Sequence, residues 1–172
     1  KELGADAVVD YKAGKVLPLS AVESSDPEQL WTYLENYEKT TGGRALAIPH
    51  NGNLSNGRMF DDVTFTGAPL SADYARRRQR WEPLYEVTQI KGDGETHPLL
   101  STRDEFADYY RWDRGNFGTE LKTPAMLPRE YARQALQRGL AYEAKLGVNP
   151  FKFGMIGSSD SHTSLAGTAE DN

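Results

Sequence analysis

Three β-prone runs of this chain empty into polar loops, and each of those loops carries a histidine. Residues 45–48 (ALAI) open into PHNGN with His50, residues 85–90 (YEVTQI) into KGDGETHP with His97, and residues 151–156 into GSSDSH with His162. The chain has only these three histidines. Strands that end in polar loops and alternate with helices are the building unit of a parallel sheet or barrel. In such folds ligands gather at the carboxyl ends of the strands. The pattern therefore places all three imidazoles on one rim. Imidazole is the commonest metal ligand and is easily poised near neutral pH, so the rim is expected to form part of a metal-dependent hydrolase site.

The elements around these runs are signalled locally. Asp26 caps a helix, Pro27 suits its first position, Gln29 approximates a capping box, and Leu30, Trp31, Leu34 and Tyr37 follow at helical spacing until Gly42-Gly43. Residues 45–48 predict a buried strand, residues 51–70 a loop, residues 71–82 a helix and residues 85–90 a strand. A helix over 103–112 comes next. Pro128 then opens the longest helix, which runs to Leu146 with Ala135, Gly139 and Tyr142 on one face and Gly147 as its cap. A strand over 151–156 closes the series. The two apolar patches before residue 24 predict short strands. One of them, GADAVVDYK, looks like a stretch of medium-chain reductases, but no GxGxxG accompanies it.

Composition removes several function classes. A net charge of −5 and a pI near 5.3 argue against broad attraction to nucleic acid or an anionic membrane. The one basic cluster, Arg76-Arg77-Arg78 with Arg80, is expected to be a solvated helix face. Without cysteine there are no disulfides, thiolate zinc sites or cysteine nucleophiles, and the compartment, cytoplasmic or periplasmic, stays open. No apolar stretch approaches a membrane span. KELGAD resembles mid-domain chain, so a missing targeting signal carries no weight.

The loops offer distinct chemistry. Asp160 and His162 are one residue apart, so on an extended segment both side chains point the same way. They can ligate one divalent ion, pair as a base and its orienter, or simply decorate an Asp/Ser-rich turn. His50 follows an apolar run, with Asn51 and Asn53 as donors to anionic oxygens or as ordinary Asn-Gly turn chemistry. Lys91 can meet a phosphate, and Glu95 and His97 can bind metal or move protons; a solvated glycine-rich connection is the plainer alternative. Glu86 lies inside a strand, where a carboxylate is unexpected unless it faces solvent. GSSDS is not the G-x-S-x-G nucleophile elbow, which disfavours a serine hydrolase.

The phrases SSDPEQLW, LAIPHNGNLSNG, KGDGETHP and NPFKFGMIGSSDSHTSL resemble the PHP superfamily of metal-dependent phosphoesterases (polymerase and histidinol phosphatase). Within it they resemble a mostly bacterial branch labelled as a domain of unknown function. The likeness covers residues 15–167 and corresponds to the carboxyl-terminal half of the family's domain. It implies an α/β fold, the C-terminal part of a distorted (β/α)7 barrel, with residues 1–172 as a single partial domain and 1–14 unassigned. It also implies divalent ions (zinc, manganese or iron) in a cleft, with His50, Asp160 and His162 as metal ligands and Asp160 and His162 at the catalytic centre. Asn51, Lys91, Glu95 and His97 would face a small anionic substrate such as a phosphate ester. Glu86 falls near the strand where the family carries a Glu and an Asn, with Gln89 in place of the amide.

The family's opening His-x-His has no counterpart, because no histidine precedes His50. A hydrolytic metal needs about three protein ligands and an open position. The chain alone is therefore expected to be inactive, and to self-associate or to need a partner half for its sheet edge. The alternative is a non-catalytic ligand-binding domain with an incomplete metal site or none.

Overall fold

The computed structural model describes residues 24–113 and 121–160. The expected strands before residue 24 and the His162 position lie outside that range. Helix α1 (Pro27–Thr41) begins where the capping signal predicts: the Asp26 carboxylate accepts from the Glu28 N–H at 2.9 Å, and Gly42 ends the helix in the left-handed region. Helix α2 (Ala72–Trp81) is capped by the Ser71 hydroxyl, which accepts from the Tyr74 N–H. Strand β1 (Leu84–Gln89) turns directly into the short antiparallel β2 (Gly92–Asp93). Helix α3 (Ala132–Leu146) is closed by Gly147, and β3 (Gly154–Gly157) pairs parallel to β1, with Leu84 opposite Gly154 and Glu86 opposite Ile156. The sheet order is β2-β1-β3, so the fold is a mixed α/β arrangement on a small sheet of three strands. Among the described residues no helix is long and apolar enough to cross a membrane.

Several elements differ from expectation, each for a physical reason. Residues 45–48 are not a buried strand: Leu46 and Ile48 are exposed. The segment runs beside the first half of β1 with sparse bonds, Ala47 N–H to the Trp81 carbonyl and Glu86 N–H to the Pro49 carbonyl. Pro49 has no N–H to return, so no ladder forms. Residues 103–112 are successive turns, not a helix. Their amides bond three residues back (Ala107 to Asp104, Tyr109 to Phe106), and Tyr110 takes a left-handed φ of 51°. Only Ala107 is buried there, so a helix would have no apolar face to bury. Pro128 opens a separate 3-10 turn, Leu127–Arg129, before α3 starts at Ala132.

The core joins Trp31 of α1, Tyr74 and Trp81 of α2, Tyr85 of β1 and Ala132 and Ala135 of α3 with Phe60, Leu70 and Phe151. The basic cluster is not a uniformly solvated face. A turn of 3.6 residues places Arg78 on the same side as Tyr74, Ala75 and Trp81, and all four are buried. Its guanidinium lies 3.0 Å from Glu82, donates to the Met59 carbonyl at 2.7 Å and sits over the rings of Phe60 and Phe151. The Trp31 indole N–H donates to the other Glu82 oxygen at 2.8 Å. Arg77 and Arg80 bridge to Glu28 and Glu38 on α1. Arg76, 3.9 Å from Asp73, and Arg80 are the exposed members that match the solvated expectation.

Removing one member of a buried pair strands the other charge, which costs about 3–5 kcal/mol. Arg78→Met is expected to destabilise by about that much in urea unfolding. Arg76→Ala, two residues away on the exposed side, should stay within about 0.5 kcal/mol.

Candidate functional site

Parallel pairing continues past the ends of β1 and β3, with the Ser158 N–H bonding the Thr88 carbonyl at 3.1 Å and the Ile90 N–H bonding the Ser159 carbonyl at 3.3 Å. These bonds bring residues 89–91 beside residues 158–160. The Lys91 ammonium pairs there with Asp160, which adopts a left-handed φ of 48°. On the other side of β1, the Glu86 N–H bond to Pro49 at 3.0 Å sets the following residue, His50, next to the same strand. Glu86 thereby senses the charges of His50, Asp160 and Lys91. His50, Glu86, Lys91 and Asp160 thus form one electrostatic group that runs from the middle of β1 to the carboxyl end of the β1–β3 pair.

The local chemistry of this group is specific. Burial pushes the Glu86 carboxyl above its ordinary range; His50 opposes that, Asp160 adds to it and Lys91 opposes it. Its Oε1 is buried and has no hydrogen-bond partner among the described residues. The His50 ring is exposed, and its Nδ1 lies 3.1 Å from the Ile48 carbonyl. A carbonyl only accepts, so Nδ1 carries the proton and a neutral ring keeps its lone pair on Nε2. Asn51 sits in the left-handed region with φ 59°. Gln89 organises it: the Gln89 amide donates to Asn51 Oδ1, and its Oε1 accepts from the Lys91 N–H at 2.7 Å. Gln89 thus links the Asn51 side-chain oxygen to the Lys91 backbone.

Glu95 and His97 lie in other surroundings. Glu95 pairs with Arg133 of α3 at 2.8 Å. His97 is buried; its Nδ1 accepts from the Leu99 N–H at 3.1 Å, so Nε2 donates to Asp113 at 2.9 Å. Burial raises the Asp113 carboxyl, but the His97 hydrogen bond and the Arg111 charge outweigh it and hold the carboxyl below its ordinary range. With both ring nitrogens engaged, His97 braces the loop that follows β2. Nearby, Glu130 is fully buried between Lys122, 2.9 Å from Oε2, and the Gly57 N–H, 3.2 Å from Oε1.

The donor chemistry suits a divalent ion in part. His50 Nε2 has the tautomer a metal-ligating imidazole needs, set by a backbone carbonyl, and Glu86 offers an oxygen without a partner. Among the described residues, however, no group of three or more His, Asp or Glu side chains closes around an ion position. Glu86 and Gln89 are the residues that sequence reasoning left undecided. A carboxylate at the middle of a strand and an amide at its end were the available signals.

Asp93, at the end of β2, titrates at about 6 because burial outweighs the Thr96 and Glu95 N–H groups that its carboxylate accepts. A raised folded-state pKa means stability that is fully present below the unfolded value near 4 and is lost as pH climbs through 6. Asp93→Asn keeps a neutral acceptor. Between pH 4 and pH 6 its unfolding free energy should fall less than that of the wild type, by about 1 kcal/mol after solvent screening, in denaturant titrations at both pH values.

Searches of curated proteins and of solved structures each returned no significant match. A model of a family of proteins of unknown function, DUF3604, matches residues 8–172. That match spans nearly the whole chain, and the protein belongs to this family.

Proposed function

We propose that this chain supplies the carboxyl-terminal part of the site of a metal-dependent hydrolase, a phosphoesterase on a PHP-like (β/α)7 barrel, whose remaining ligands come from outside the described residues. The observation that carries the reading is the orphaned Glu86 oxygen on a parallel strand, within the electrostatic reach of His50 and Asp160. A desolvated carboxylate without a partner is costly, and such groups cluster where chemistry is done.

His50 through Nε2 and Asp160 would hold the ion, with His162 as the third ligand. A bound divalent ion supplies a water acidified to near-neutral pKa. The chain's own residues do the rest. Lys91, anchored by Gln89 through its backbone N–H, places an ammonium against the anionic oxygens of a phosphate ester. Asn51, its side-chain oxygen taken up by Gln89, turns its NH2 toward the same oxygens. Glu86 Oε1 is the acceptor for a proton released beside β1. The Lys91–Asp160 ion pair favours a second reading, an anion-binding rim that works without metal.

The test is metal analysis of the intact protein. Co-purified or titrated zinc, manganese or iron at stoichiometric level is expected, with affinity lowered at least about tenfold by Asp160→Ala or His50→Ala. His97→Ala should destabilise the fold and leave the metal affinity of the folded fraction unchanged. Metal content indifferent to both site variants would sink the enzyme reading and leave the anion-binding rim.

A further inference from the structure

The chain's three tryptophans have different fates. Trp31 is fully buried, stacks edge-on against Tyr74 and lies under Arg77. Trp81 is buried with Arg80 over its ring at 4.2 Å. Trp112 is 48 % exposed, and among the described residues no ring or cation stacks on it. Large aromatic surface left in water forgoes the burial that normally rewards it.

Trp112 is nonetheless held in place. The buried Asn53 side chain donates from Nδ2 to the Lys91 carbonyl and to the Trp112 carbonyl, each at 2.9 Å. The Asp93 N–H donates to the Tyr110 carbonyl at 3.0 Å, which laces the 110–112 segment along β2. Gly92 makes the close approach possible. Its φ is +101°, and a Cβ built on it would meet the Trp112 Cβ at 2.6 Å and the Trp112 backbone N at 2.8 Å. Gly92 pairs with Gln89, the residue that orders Asn51 and the Lys91 backbone. One buried amide thus ties the main chain of an exposed tryptophan to the main chain of the lysine assigned above to the phosphate.

We propose that Trp112 is a specificity residue of the candidate site: a stacking platform for a ring, the face of an aryl group or the C–H face of a sugar, carried by the anionic ester whose phosphate meets Lys91. This rests on the reading in the previous subsection and narrows its substrate class to ring-bearing esters. A stacked ring gains from dispersion and from the indole face. An exposed platform at the edge of an anion site selects for the alcohol portion of an ester while leaving the phosphate contacts unchanged.

The test uses the intact protein and probes that do not depend on turnover. Calorimetry compares methylphosphonate, which has no ring, with phenylphosphonate, whose C–P bond resists hydrolysis, and with α-D-glucose 1-phosphate. Phenylphosphonate or the sugar phosphate should bind about tenfold tighter than methylphosphonate, the expected scale of one stacked ring. Whichever gains identifies the ring as aryl or sugar. Trp112→Ala should erase that gain and leave methylphosphonate affinity unchanged; Trp112→Phe should keep most of it. Tryptophan emission should shift with the ring-bearing probe and not with methylphosphonate, because the other two indoles are buried. Equal wild-type affinity for all three probes, or a Trp112→Ala loss shared equally by methylphosphonate, overturns the platform while leaving the anion site standing. Binding of none of the probes removes the anion site and the platform together.

Discussion

The guanidinium–carboxylate pair of Arg78 and Glu82 organises the described structure. It spans one turn at the end of α2, yet its partners come from other segments: the Trp31 indole from α1, the Met59 carbonyl from the connection between α1 and α2, and the rings of Phe60 and Phe151. Each group that touches the pair is fixed in direction as well as distance, because a buried charge tolerates few arrangements that satisfy it. Any packing of the core must therefore leave neither charge stranded.

That restriction reaches the site through β1. Glu82 is three residues from the strand's second position, and Trp81 receives the Ala47 N–H that aligns the His50 segment. Phe151 leads into β3, whose parallel pairing with β1 carries Asp160 to Lys91. The helices and core thus determine where the strands end, and the strand ends determine which polar side chains meet. The site itself is mostly backbone-directed. The Ile48 carbonyl sets the tautomer of His50, Gln89 reads the Lys91 amide, and Asn53 binds two carbonyls at once.

Features legible in the sequence are those decided within a few residues. The Asp26 cap, the Gly42 and Gly147 terminators and the short β1 run all depend on local geometry, and all appear in the structure. The loop behaviour of residues 51–70 belongs with them, apart from a brief 3-10 turn at Gly52–Leu54. Misjudged features needed knowledge of what lies opposite. The apolar character of residues 45–48 suggested burial, but their neighbour on β1 offers few bonds and Pro49 returns none. RDEFADYYRW has helical spacing, but no apolar surface waits to receive its aromatic side chains.

The candidate site divides the same way. Sequence alone determined that imidazole, carboxylate and amide groups would sit in loops after β-prone runs, because residue type and turn chemistry are local properties. Only the tertiary structure decided that His50 is exposed beside Glu86 and Lys91, while His97, from a loop of the same kind, is buried against Asp113 with both nitrogens spent. Strand pairing and burial select a hydrogen-bond partner from residues distant along the chain, and that selection separates an imidazole available for chemistry from one that braces a loop.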